Sequence, residues 1–295
     1  MARVESEPQI AAHTTWMRRA RETRIALGRW PVLPLAILAI LVAVAAFGPL
    51  LAPYDPTTGD LGSRLAHPFT PGYLLGTDHA GRDILSRLIY GARISLIVAM
   101  VSVTIGFFVG TAIGVVSGYF GGVVDEFLMR VVDIWYSLPF LMVALVVVLI
   151  LGQSFNVLLA LLAVLAWAPA VRVVRGQTLQ LKEMDFVALA RIAGASPVRL
   201  MFRHLFPGVL NSAVVIATLQ VGHLIVAEAT LSFLGAGIPP PTPSWGVMVS
   251  EGRDYIATAW WVAFFPGAAI FLVVVAFNFL GDWLRDKLDP RLRQL

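Results

Sequence analysis

The sequence contains no cysteine. Disulfide bonds and thiolate-ligated metal sites are therefore excluded, and cysteine usage gives no information on the redox compartment. Charged residues are also scarce, at 14% of the chain, whereas soluble domains carry about 25%. With 58% hydrophobic residues and a mean hydropathy of +0.80, this scarcity excludes an ordinary soluble domain and indicates an all-α membrane protein.

Lysine is nearly absent, with Lys182 and Lys287 the two examples. A P-loop needs lysine after glycine and before Ser or Thr, and neither residue has that context. The motifs H-E-x-x-H and G-x-S-x-G and paired intramembrane aspartates are also missing, which argues against a membrane-embedded enzyme. We therefore expect no catalytic residues, no cofactor and no metal site in this chain.

Six apolar runs are long enough to cross a bilayer, which requires about 20 residues per helix. The predicted spans are 31–52, 93–118, 127–151, 155–174, 208–234 and 259–284. Pro139 in the third span and Pro169 in the fourth should each kink or end its helix, because proline cannot donate a backbone hydrogen bond.

Arginine and lysine predict the orientation of these spans. They cluster before the first span, in the loop after the fourth and after the sixth, and an even number of spans places all three segments on one side. The positive-inside rule makes that side cytoplasmic, so the net charge of +4 reflects membrane orientation rather than nucleic-acid binding. We predict a multi-pass protein of the cell (inner) membrane, in contact with lipid, with cytoplasmic tails at 1–30 and 285–295, extracytoplasmic segments at 53–90 and 235–260, and a membrane core at 91–284 that contains a cytoplasmic loop at 175–207.

Small residues recur every four positions in the second span. They are Ser102, Gly106, Gly110, Gly114 and Gly118. This spacing places them on one helix face, which lets a neighbouring backbone approach closely. We expect this face to pack against another helix, in this chain or in a partner.

The loop after the fourth span predicts two short helices around a glycine hinge. Asp185 is a candidate N-cap for a helix over 186–193, Gly194 suits its C-terminal end, and Ser196 is a candidate cap for a second helix with Pro197 at its first position. Pro207 should end the loop. Apolar Phe186 and Leu189 among arginines fit either a helix pair that docks into a partner's groove or one that lies in the membrane interface.

The same loop resembles the EAA loop of ABC importer permeases. The resemblance rests on Asp185-Phe-Val-Ala-Leu-Ala-Arg-Ile-Ala-Gly194-Ala-Ser, continuing to Arg203-His-Leu-Phe-Pro207. Ala188 stands where the family has an acidic residue, and Leu189 stands where the family has alanine. An acidic contact with the ATPase is therefore not expected here, and the mode of docking that remains is by shape and apolar contact. The resemblance implies that the loop couples to an ATPase subunit through Asp185, Phe186, Ala188, Leu189, Ala190, Arg191, Gly194, Ala195, Ser196, Arg203 and Pro207.

Further motifs resemble the dipeptide, oligopeptide and nickel branch of that family, and its C-type subunits most of all. They include Leu75-Gly-Thr-Asp78-His-Ala-Gly81-Arg82-Asp83 before the second span and Pro243-Ser-Trp245-Gly246-Val-Met248 before the sixth. The resemblance covers nearly the whole chain after residue 31. It implies the type I ABC importer permease fold, with six transmembrane helices.

The family resemblance also implies partners. It implies a second, similar but non-identical permease, two ATPase subunits that hold ATP and Mg, and an extracytoplasmic substrate-binding protein. The substrate stays open among dipeptides, oligopeptides, nickel and haem-like ligands. The alternative of an ion-driven secondary transporter predicts inverted repeats and broken midplane helices, and no clear repeat is visible.

Polar groups within the spans are candidate functional residues, because they are costly in a membrane. Glu228, His223 and Gln220 are candidates for the pathway or gate; Glu228 fits a bundle hydrogen bond equally well, and a lone histidine is more often a satisfied interior residue. Arg130 and Asp133 are three residues apart and favour a structural pair. The outer residues Asp78, Arg82 and Asp83 favour a structural network over a contact with the binding protein.

Overall fold

The computed structural model describes residues 31–288. The predicted N-terminal tail and residues 289–295 of the C-terminal tail lie outside these residues. All regular elements in the described part are helical, apart from two isolated β-bridges that join Thr70 to Tyr73 and Thr77 to Asp83. The predicted all-α class is confirmed.

The described part contains long apolar helices and short connecting ones. They are α1 (Val32–Leu51), α2 (Ile84–Phe120), α3 (Gly122–Ser137), α4 (Phe140–Leu151), α5 (Phe155–Leu181), α6 (Asp185–Ile192), α7 (Pro197–Leu200), α8 (Phe206–Phe233), α9 (Trp245–Gly252) and α10 (Trp261–Leu288). By length and composition, α1, α2, α5, the joined α7–α8 unit and α10 are candidate membrane spans, and α3 and α4 together are a sixth.

The third predicted span, 127–151, is not one straight helix. Its two parts, α3 and α4, meet at an angle of 81°. The break falls at Leu138, whose backbone is extended with ψ of 128°, and at Pro139, which starts α4 as its N-cap. Proline disfavours helical geometry in the residue before it, so the predicted effect of Pro139 is confirmed. Helix α5, by contrast, does not end at Pro169.

Helices α2 and α5 pack in parallel through the small residues of α2. A Cβ atom built on Gly106 would lie 2.4 Å from the Cβ of Ala166, and one built on Gly118 would lie 2.6 Å from the Cβ of Thr178. The contacts thus move toward the C-terminus on both helices, from Gly106 to Gly118 on α2 and from Ala166 to Thr178 on α5. The chain must therefore return along the bundle between α2 and α5, and the bent α3–α4 pair makes that return as one crossing.

The fifth span begins earlier than the predicted 208–234. A π-helical turn at Met201–Leu205 joins α7 to α8, so one continuous helical unit runs over Pro197–Phe233. The Phe206 N–H donates to the Met201 carbonyl, five residues back. Pro207 has no N–H and its ring would crowd the preceding turn of an α-helix. A wider turn before it accommodates the ring, so Pro207 does not separate the loop from the span.

Candidate functional site

The helix pair α6–α7 is anchored to the bundle by buried apolar side chains. Val187, Leu200 and Leu205 are each no more than 1% exposed. They form one cluster with Val115 of α2 and Val174 of α5. The loop is therefore attached to the two helices that pack most closely with each other, so a displacement of the loop acts directly on the bundle.

A fixed turn sets the angle between α6 and α7. Gly194 has a left-handed φ of +82°. Its N–H donates to the Arg191 carbonyl and the Ala195 N–H donates to the Ala190 carbonyl, both at 3.0 Å. This pair of bonds is the Schellman arrangement that ends helices at glycine. The predicted glycine hinge is confirmed in its conformation.

The N-terminal ends of α7 and α6 are capped differently. The Ser196 hydroxyl accepts the Arg199 N–H, with Pro197 at the first helical position, as predicted. Asp185 is not the N-cap of α6: the helix starts one residue earlier than predicted, Met184 takes the cap position, and no side chain bonds there. The carboxylate of Asp185 instead lies in the first turn, where the helix dipole favours negative charge.

The side of the loop that faces away from the bundle exposes large apolar side chains. On α6, Leu189 is 66% exposed and Ile192 83%; beyond the turn, Val198 and Phe202 are 60% and 71% exposed. Phe186 is also exposed. We call Phe186, Leu189, Ile192, Val198 and Phe202 the α6–α7 surface. Of the other predicted coupling residues, Ala188, Arg191, Gly194, Ser196, Arg203 and Pro207 are exposed, while Ala190 and Ala195 are half-buried.

Glu228 lies inside the bundle and joins α8 to α9. It is 1% exposed, and its Oε1 atom accepts hydrogen bonds from the Ser232 and Ser244 hydroxyls at 2.9 Å each. Ser244 also caps α9 by accepting the Val247 N–H. Within this chain, the geometry corresponds to the bundle hydrogen bond rather than to a residue that lines an open surface.

His223 differs from the expectation of a satisfied interior histidine. It is exposed in the described part of the chain, in the C-terminal half of the α7–α8 unit. The face of α8 that carries it is not covered by another helix within residues 31–288, since Val226 on the same face is 44% exposed. Gln220 is half-buried, and its Nε2 atom has no hydrogen-bond partner among the described residues.

An ion-pair cluster joins the outer segment to α9. Asp78 accepts from the guanidinium groups of both Arg82, at 2.7 Å, and Arg87. Glu251 pairs with the same arginines, at 3.2 Å from Arg82 and 2.6 Å from Arg87. Asp83 is separate: it caps α2 by accepting the Ser86 N–H. The sequence pattern indicated the Asp78 network but not Glu251, because no local spacing signals a partner more than 160 residues away.

The cluster resembles a metal site in composition but not in charge. One ligand atom each from Asp78, His79 and Glu251 lies within 4.8 Å of the others. Both carboxylates already pair with Arg82 and Arg87, and two guanidinium charges repel a cation. We therefore assign the cluster to ion pairing.

We expect Asp78→Asn to destabilise the protein by about 3 kcal/mol, because it leaves the 1%-exposed Arg87 short of a carboxylate. Burial alone would raise the pKa of Asp78, but the charge of Arg87, the Arg82 N–H and the Arg82 charge lower it overall. The stabilisation is then complete at neutral pH and is lost as the pH falls from the ordinary aspartate value of 3.8 through the lowered pKa.

Thermal unfolding of the detergent-solubilised chain between pH 7 and pH 3 measures this effect. Asp55→Asn is the control, because Asp55 is exposed and accepts bonds from neighbouring Thr57 and Thr58. Equal unfolding temperatures for the two variants would contradict the assigned role of Asp78.

The predicted Arg130–Asp133 pair is not formed. Asp133 pairs instead with Arg172 of α5, at 2.8 Å, and the guanidinium of Arg172 stacks over Tyr136 at 4.2 Å from the ring centroid. Helix α3 also pairs with α5 through Asp125 and Arg175, so the packing of α3 against α5 brings Asp133 to Arg172. Both partners are about half exposed, at 57% and 49%, so this ion pair lies on an uncovered face of the candidate spans.

Comparison with known proteins identifies the family. Residues 110–294 match the family described as "Binding-protein-dependent transport system inner membrane component". The chain belongs to this family. Residues 30–68 of the permease also match the "N-terminal TM domain of oligopeptide transport permease C".

Curated relatives match the permease over most of its length. The glutathione transport system permease protein GsiD of Pectobacterium atrosepticum is 41% identical over 86% of this chain and 84% of its own. The dipeptide transport system permease protein DppC of Haemophilus influenzae is 40% identical, over 90% and 92%. The nickel transport system permease protein NikC of Escherichia coli is 41% identical, over 90% and 95%.

A solved structure supports the fold. The inward-facing MetNI methionine ABC transporter matches with a TM-score of 0.57 over 70% of this chain and 98% of that one, at 22% identity. The chain thus has the fold of an ABC importer permease, as the resemblance in its loop and outer motifs implied. It is a membrane transport subunit rather than an enzyme.

Proposed function

We propose that this permease forms half of a translocation pathway for short peptides and docks an ATPase subunit through the α6–α7 surface. The observation that carries the proposal is the combination of Val187, Leu200 and Leu205, buried beneath the loop, with the exposed apolar side chains that face away from the bundle. A surface of this kind is costly in water. A partner that covers it can move α6 and, through the buried anchors, α2 and α5.

The remaining partners follow from the same proposal. ATP and Mg belong to the ATPase subunits, since this sequence has no P-loop lysine. One chain carries one such loop, so two ATPase subunits require a second permease, and we propose one that is similar but non-identical. An extracytoplasmic binding protein delivers the substrate, in keeping with the family's description.

The pathway wall is assigned to the uncovered faces of α3 and α8. The half-exposed Asp133–Arg172 pair and the exposed His223 lie within candidate spans. Ionisable groups are costly against lipid and favour a water-filled cavity or a protein partner. Glu228 is buried behind this wall and holds α9 against α8 by accepting a hydrogen bond from the Ser244 hydroxyl.

Short peptides are the proposed substrate class, because relatives named for glutathione and dipeptide transport match over most of the chain. Nickel is the second candidate, since the nickel relative is equally similar at 41% identity. Selection between them rests in part with the binding protein.

Uptake by the assembled importer in liposomes tests the proposal. We expect ATP-dependent accumulation of a labelled dipeptide or of glutathione in the presence of the binding protein, and none without ATP. Accumulation of Ni²⁺ with no peptide uptake would favour the second candidate. Uptake driven by an ion gradient alone would refute the ABC mechanism.

The proposed orientation predicts which residues a membrane-impermeant maleimide can label in this cysteine-free chain. Cysteines at Leu61 and Ile256, which are 77% and 60% exposed, should react in intact cells. A cysteine at Ser196 should react only after the membrane is opened. Gly246, in an extracytoplasmic segment of the prediction, is unsuitable because it is buried. Labelling of Ser196→Cys from outside would reverse the orientation.

A further inference from the structure

The segment that carries the α6–α7 surface also carries positive charge. Arg191, Arg199 and Arg203 are exposed, and none of them forms an ion pair within residues 31–288. Between residues 185 and 205, Asp185 at the start of α6 is the one acidic residue. Three exposed guanidinium groups without an ion-pair partner within residues 31–288 therefore lie on the same short segment as the exposed apolar side chains.

The apolar centre faces away from the bundle. Successive residues of an α-helix are about 100° apart. Val187 of α6 is fully buried against the bundle, so Leu189, about 200° further round, lies on the opposite side. Phe186 and Ile192 flank Leu189 at spacings of three residues. Beyond the fixed Gly194 turn, α7 adds Val198 and the π turn that follows it adds Phe202.

We propose that the ATPase cleft that receives this surface has an apolar floor and carboxylates at its rim, opposite Arg191, Arg199 and Arg203. The inference rests on the proposed function and adds the chemistry of the partner. Complementary rim charges speed association and make it dependent on salt, while the apolar centre supplies most of the contact. Two helices held at a fixed angle suit a shaped cleft, whereas a helix in the membrane interface presents a single stripe along its axis.

The test measures ATPase retention by the full importer complex in nanodiscs of zwitterionic lipid, over a range of NaCl concentrations. We expect retention to fall as salt rises. Arg191→Gln with Arg199→Gln should weaken ATPase binding by about three- to tenfold at low salt and flatten its salt dependence. Arg191→Lys with Arg199→Lys should restore most of the binding, because the charge is kept.

Two further variants sharpen the result. Arg253→Gln is the matched control for loss of an exposed arginine, since Arg253 is about half exposed and lies far along the chain, after α9. It should leave retention unchanged. Ala188→Glu adds a negative charge beside Arg191 and should weaken binding; tighter binding would mean that the cleft offers a cation and would overturn the proposal.

The outcomes separate this inference from the function on which it rests. If Leu189→Ala weakens ATPase binding while salt and the arginine variants have no effect, the docking assignment stands and the acidic rim is wrong. A cysteine at Ile192 distinguishes the membrane alternative. Its protection from a soluble maleimide by anionic lipid, but not by the ATPase, would refute the docking assignment itself.

Discussion

Gly194→Val is expected to uncouple ATP hydrolysis from transport while leaving membrane insertion intact. The Gly194 backbone has φ of +82°, a left-handed conformation that costs a β-branched residue about 1–3 kcal/mol. Relief of that strain requires the turn to open, which breaks the bonds to the Arg191 and Ala190 carbonyls. The α6–α7 surface would then lose its fixed angle, and uptake per ATP hydrolysed should fall by about tenfold or more for a change of this energy.

The choice of Gly194 and its control separates backbone strain from steric crowding of the new side chain. A Cβ atom on Gly194 would meet nothing within 4 Å, so the effect is confined to the backbone. Gly176→Val is the matched control, because Gly176 is also unobstructed but lies within the ordinary helix α5. Gly194→Asn should recover part of the coupling, since asparagine tolerates left-handed geometry. Both ATP hydrolysis and uptake are measured on one liposome preparation; wild-type uptake per ATP in Gly194→Val would refute the coupling role.

The elements that sequence predicts well are those set by local chemistry. The Gly194 turn follows from the absence of a Cβ atom, and the Ser196 cap from a hydroxyl next to proline. The break at Pro139 follows from the proline ring, which disfavours helical geometry in Leu138. Each signal lies within a few residues of the structure that it determines, so a single sequence contains it.

What the sequence could not supply depends on angles between helices. The packing of α3 against α5 places Asp133 beside Arg172 instead of Arg130, and helical spacing alone carries no information on how two helices pack. The partnership of Glu251 with Arg87 likewise depends on how α9 returns to the start of α2. Pro207 shows a third case, because a π turn can accommodate a proline where a regular helix would end.

The exposure of His223 has a different origin. Spacing on α8 places it on one helix face, but spacing alone does not determine whether another helix covers that face. The histidine looked like an interior residue because most polar residues in membrane spans face protein. Among the described residues it lies on an exposed face instead.

Gly110→Leu is expected to have the largest effect on assembly. A Cβ atom on Gly110 would lie 2.5 Å from the Trp167 carbonyl oxygen and 2.6 Å from the Cβ of Ala170. The carbonyl belongs to the backbone of α5 and cannot rotate aside. Leucine would therefore push α2 and α5 apart, at a cost at or above the upper end of the ~1–3 kcal/mol typical of overpacking.

The separation of α2 from α5 should spread to the loop, because Val115 and Val174 anchor it to these helices. We expect a lower yield of assembled complex and a lower unfolding temperature than for Gly267→Leu, the control at a glycine of α10 with nothing within 4 Å. The milder Gly110→Ala should be partly rescued by Ala170→Gly, which removes one of the two close contacts but not the carbonyl. Full rescue would assign the whole effect to the Ala170 methyl group, whereas normal assembly of Gly110→Leu would refute close packing of α2 on α5.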